Sequence, residues 1–167
     1  PGVRGVGAGQ TLPYFESGDE VAVQAVGSSQ NPSLVAVLNT IGGDYFGALG
    51  IPILRGRSPT PFELREGAAV AVLSQGIAER LWPGKDPIGQ RIRHSPPGAR
   101  NPVVGPDRPA LEVIGVAGDV HQDGPGRSVQ GQFYLPLGPG APTTLGLVVH
   151  FGETASPRAS LVRDRVA

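Results

Sequence analysis

Apolar and polar positions alternate early in the chain and predict strands before they predict anything else. In residues 20–26, Val21, Val23 and, past Ala25, Val26 alternate with polar or small neighbours, which predicts a strand with one wet face. Residues 34–41 carry a second strand pattern, and the turn-rich connector at 27–33 suits an antiparallel pair. Residues 3–8 alternate apolar and small residues and predict an earlier strand. The second pattern stops at Gly42-Gly43, where Asp44 offers its carboxylate to the free N–H groups of a short helix. Tyr45, Phe46 and Leu49 fall on one face of that helix. Gly50 stands where a left-handed cap belongs, and Ile51 is placed to fold back onto Phe46. Residues 51–54 then run extended, and Pro52 keeps them from a central position in a sheet.

Farther along, Thr60-Pro61-Phe62-Glu63 joins a capping box to a proline at the first helical position, predicting a short helix that ends near Gly67. Residues 68–73 are a continuous apolar run and read as a buried strand. Ser74 is placed to cap the next helix, whose buried stripe is Ile77, Ala78 and Leu81. Pro83 stops that helix and pushes Trp82 extended. With a strand at 111–117, this outlines a βαβ unit. Shorter strands are expected at 90–93, 133–137 and 145–151, and a terminal helix from Ser156 with Leu161, Val162 and Val166 on its apolar side. Residues 94–109 are rich in proline and glycine and read as an inserted loop, and 119–130 are polar and glycine-rich. No internal repeat is evident.

Composition changes this picture in three places. With 167 residues and 39% hydrophobic content, the chain is long enough for a real core in one domain or two small lobes. The 14 basic and 14 acidic residues balance to +0, so there is no basic face of the kind nucleic acid requires, and no reason for electrostatic docking on anionic lipid. The absence of cysteine excludes disulfides, thiolate catalysis and Cys-ligated metal sites. No apolar run approaches the ~20 residues of a membrane helix, and no signal peptide is evident. A chain that begins at Pro1 and runs a helical pattern to Ala167 is expected to be a fragment of a larger protein.

Few residues suggest chemistry. The glycines at 2, 5, 7 and 9 resemble a phosphate loop, but a dinucleotide fingerprint needs a helix after them, and residues 10–18 contain Pro13 and read as loop. Gly42-Gly43-Asp44-Tyr45-Phe46 resembles the GGDEF signature of diguanylate cyclases, yet Tyr45 occupies the position of the acid that would hold a metal. The bland reading is a helix cap after a strand. Asp119, His121 and Asp123 alternate and are acceptable divalent-metal ligands, although they sit among glycines and are common turn residues. His94 and His150 stand alone and read as surface or edge residues. Ser74 has no nucleophile-elbow pattern, and Glu63, Glu66 and Glu79 read as a solvated face. Trp82 is a candidate binding aromatic, but a lone tryptophan after an amphipathic helix more often anchors a core. No catalytic, cofactor-binding or metal residue is assigned.

The segments DYFGALGIPILRGR at 44–57, VAVLSQGIAERLWPGKDPIGQRI at 70–92, LEVIGVAGDV at 111–120 and FYLPL at 133–137 occur in an order that resembles the periplasmic core domain of MacB-like, FtsX-like ABC-transporter permeases, closest to their orphan-permease branch. Ser74-Gln75 replaces the Asn-Glu usual there. The resemblance implies an α+β fold with mixed sheets and short helices: a porter-like βαβ lobe and a second, β-rich lobe formed around 84–135, within one domain over 1–167. It implies a non-enzymatic domain without cofactors, on the periplasmic side of the inner membrane. Such a domain couples the motion driven by a cytoplasmic ATPase to substrate or partner handling. Implied partners are the permease's own membrane helices, that ATPase indirectly, and a periplasmic protein or second permease copy, with no nucleic acid. The alternative is a sensory or adaptor module that binds a lipoprotein or peptide without transport.

Overall fold

In a computed structural model of the chain, residues 2–12, 18–27, 33–96, 109–120, 131–139 and 144–152 are described. Strands β1 (Val3–Gly9), β2 (Asp19–Ala25) and β3 (Leu34–Gly43) come first, with β2 and β3 antiparallel as expected. The order continues with α1 (Tyr45–Leu49), β4 (Ile53–Gly56), α2 (Pro61–Glu66), β5 (Val70–Ser74), α3 (Gln75–Leu81), β6 (Arg91–His94), β7 (Leu111–Ala117), β8 (Gln132–Pro136) and β9 (Gly146–Phe151). The α+β class holds. The βαβ unit is β5–α3–β7, whose strands are parallel neighbours. The terminal helix expected from Ser156 lies outside the described residues, as does most of the 94–109 loop. His94 itself belongs to β6 rather than to that loop.

The ladders run β2–β6–β7–β5–β8–β3, and β3 pairs again with β2, so six strands close into a ring. Two long strands make this possible by changing neighbours along their length. β3 gives Leu34–Leu38 to β2 and Ile41–Gly43 to β1. β7 gives Leu111 and Glu112 to β6 and its last three residues to β4. β1 and β9 extend from the ring as one antiparallel wing, and β4 is attached to β7. β4 pairs with nothing else among the described residues, which is the marginal position Pro52 imposes.

Each face of this sheet has its own core. On one, Val21, Val23, Leu38, Leu73, Ile92, Val113 and Phe133 pack with Ile77, Ala78 and Leu81 of α3. On the other, Ile41, Val72, Ile114 and Tyr134 pack with Tyr45 and Phe46 of α1, and Leu64 of α2 leans against them. β5 is buried on both faces, which is why its sequence is continuously apolar rather than alternating.

Local chemistry fixes the short helices. At α1, Asp44 Oδ1 accepts from the Gly47 N–H at 3.2 Å, Gly50 is left-handed at φ 68, and the Ile51 N–H donates to the Phe46 carbonyl at 2.9 Å. At α2, the Glu63 N–H donates to Thr60 Oγ1 at 3.2 Å while Glu63 Oε2 accepts from the Thr60 N–H at 2.7 Å, closing the capping box. α3 differs from expectation. Ser74 stands at its N-cap, but its Oγ accepts from the Gln132 N–H of β8 at 3.0 Å and makes no cap. Asp119, in the loop after β7, supplies the cap instead, accepting from the Gly76 N–H at 3.1 Å. The hydroxyl of Ser74 is drawn away because the end of β5 lies beside β8, whose first N–H is buried there and needs an acceptor.

The glycines of β1 are explained by α1. Gly5, Gly7 and Gly9 share the face on which the helix rests. A Cβ at Gly7 would lie 2.6 Å from the Tyr45 Cα, and one at Gly9 would lie 2.6 Å from the Tyr45 ring. These residues let a helix backbone sit directly on a strand; they are not a phosphate loop.

Candidate functional site

The residues with the most reactive potential are spent on structure. Tyr45, at the metal-holding position of the GGDEF-like stretch, is buried. Its hydroxyl accepts from Asn39 Nδ2 at 2.8 Å and donates to the Thr11 carbonyl at 3.2 Å. Asn39 returns to Thr11 with both ends of its amide, at 2.8 Å to the carbonyl and 3.0 Å from the N–H. Burial pushes the Tyr45 phenol up to about 12, against a smaller opposing pull from the Asn39 hydrogen bond. Tyr134, also buried, donates to Gln132 Oε1, and desolvation raises its phenol well above the ordinary value. Gln132 Nε2 and Thr11 Oγ1 are buried polar atoms without a partner among the described residues.

Of the alternating trio, Asp119 is the α3 cap, and His121 and Asp123 lie outside the described residues. Among the described residues, no cluster of three His, Asp or Glu side chains is placed to hold a metal. His94 is half-buried, stacks on Phe133 with ring centroids 5.2 Å apart, and holds its Nδ1 2.7 Å from the Ser95 carbonyl. His150 is exposed on β9. Glu63 is not a free surface acid: Arg57 grips both its oxygens, at 2.7 and 2.8 Å. That guanidinium holds the carboxyl down at about 2, with the Thr60 hydrogen bonds helping and desolvation opposing.

What remains is shape. One cleft, of about 590 Å³, runs between α3 and β4. Val116 is its floor, Ala78 and Trp82 form the helical wall, and Leu54 and Arg55 form the strand wall, with Pro83–Pro87 closing one end. Trp82 is half-buried, resting on the core with one side and on the cleft with the other. Leu54 is 47% exposed. A second cleft, of about 730 Å³, lies between α1 and α2 and is mostly apolar, lined by Ile41, Phe46, Leu64, Pro61 and Leu137. The first cleft also carries Arg55, Glu79, Lys85 and Asp86, two charges of each sign, and the second carries Asp44 and Arg65. Sequence reading weighed Trp82 as a binding aromatic, favoured a core anchor, and gave Leu54 and Arg55 no functional role. The available signal was an apolar residue beside Pro52 in a strand that proline had already made marginal.

The chain matches the family described as the MacB-like periplasmic core domain over residues 4–161. No curated protein gives a significant match. Among solved structures, the periplasmic region of MacB from Actinobacillus actinomycetemcomitans superposes with a TM-score of 0.60 at 16% identity, covering 98% of this chain and 64% of that one. A domain of a putative permease from Porphyromonas gingivalis gives 0.57 at 20% identity, covering 98% and 68%. The extracellular domain of the noncanonic ABC-type transporter YknZ from Gram-positive bacteria gives 0.52 at 19% identity, covering 81% and 55%. The chain thus spans roughly three-fifths of the length of these structural neighbours.

Proposed function

The chain belongs to the MacB-like periplasmic core domain family, an extracytoplasmic domain of ABC-type transporter permeases, and from that premise we propose that it couples ATP-driven motion of a permease to periplasmic substrate or partner handling. The observation that carries this reading is the family match over residues 4–161. The closed six-stranded ring supports it physically. Transmitting a displacement needs a body that does not deform, and close-packed interiors are stiff. A ring also has fewer free edges to yield than an open sheet. Asn39, Tyr45, Thr60, Glu63 and Asp119 are committed to caps and networks, which suits a domain that is moved rather than one that reacts. ATP is hydrolysed by a separate cytoplasmic ATPase, with the permease's own membrane helices as the intervening link.

We also read 1–167 as one domain with its β-rich second lobe around 84–135, where β6 and β7 lie and β8 begins. The test is a full-length permease reconstituted with its ATPase, in which this domain is replaced by a flexible linker. Basal ATP hydrolysis is expected to persist while stimulation by the transported substrate or periplasmic partner is lost. Stimulation that survives the replacement contradicts the reading.

A further inference from the structure

We draw no further inference here: the strongest candidate, the apolar face that the β1–β9 wing turns away from α1 with Val6, Ala8, Leu147 and Val149 on it, carries nothing because nothing in the structure shows what covers it.

Discussion

Gly7→Ala is the sharpest test of how α1 is seated on β1. The added Cβ would lie 2.6 Å from the Tyr45 Cα and 2.9 Å from the Tyr45 nitrogen, both backbone atoms that no side-chain rotation can move aside. Either β1 shifts within the sheet or α1 lifts from it. Lifting α1 would drag the Tyr45 hydroxyl away from Asn39 and Thr11. Overpacking of this kind costs about 1–3 kcal/mol. Replacing glycine returns about 0.4–1 kcal/mol by restricting the unfolded chain. The expected net loss is therefore roughly 1–2 kcal/mol. Gly5→Ala is the control on the same face. Its Cβ meets only Asp44 Oδ2 closely, at 3.2 Å, a contact that a shift of a few tenths of an ångström relieves without breaking the Asp44 cap, so its effect should stay within about 0.5 kcal/mol. Urea unfolding followed by the fluorescence of the single tryptophan measures both. With a slope of about 2 kcal/mol/M, Gly7→Ala should lower the midpoint by roughly 0.5–1 M at unchanged slope. A Gly7→Ala midpoint equal to wild type, or an equal loss for Gly5→Ala, would refute the direct helix-on-strand contact.

Three further perturbations probe named contacts. Tyr45→Phe leaves a buried Asn39 N–H without its acceptor and should cost about 1–3 kcal/mol in the same urea assay. Because burial raises the Tyr45 phenol from 10.0 to about 12, its stabilising share is full below pH 10 and is lost as pH climbs toward 12; Tyr45→Phe should flatten that part of a stability-versus-pH curve. Glu63 runs the opposite way: lowered from 4.5 to about 2, it contributes fully above pH 4.5 and less as pH falls toward 2, so Glu63→Gln should lose stability at pH 7 and show a shallower acid slope in thermal melts. Asp119→Ala should cost about 1 kcal/mol by uncapping α3, whereas Ser74→Ala should cost about 1–3 kcal/mol by orphaning the buried Gln132 N–H, both read from chemical denaturation.

Local signals were legible in the sequence wherever one turn of chain decides the outcome. Thr60, Pro61 and Glu63 specify α2 because the capping box is closed within four residues. Asp44, Gly50 and Ile51 specify both ends of α1 for the same reason. The apolar runs of β5 and β7 betrayed strands buried on both faces, and their parallel pairing followed from the helix between them. Closure of the ring was not legible, because β2–β6 and β3–β8 join residues far apart in sequence through strands that carry no mark of their neighbours. Ser74 misled for a related reason. Its residue type suits a cap, but the cap came from Asp119, 43 positions away from Gly76, once β7 had been laid beside β5. The strand at 3–8 was legible and the phosphate-loop likeness failed on sequence context, but the reason for the alternating glycines appears only with the helix that rests on them. The α3–β4 groove was hidden similarly, since Trp82 and Leu54 meet only after β4 docks on β7.

The central claim is that this domain moves as one stiff body when its permease turns over. Residues 1–167 contain no cysteine, so labels placed within them meet no native thiol of this domain. In a full-length permease reconstituted with its ATPase, one spin-label pair at Gln90→Cys and Arg65→Cys reports distance within the domain, and a label at Gln90→Cys paired with one in the lipid headgroups reports its position over the membrane. The expected result is an unchanged internal distance and an external distance that switches on ATP binding and returns after hydrolysis. An external distance that stays fixed while ATP is consumed, or an internal distance that changes by as much as the external one, contradicts the claim.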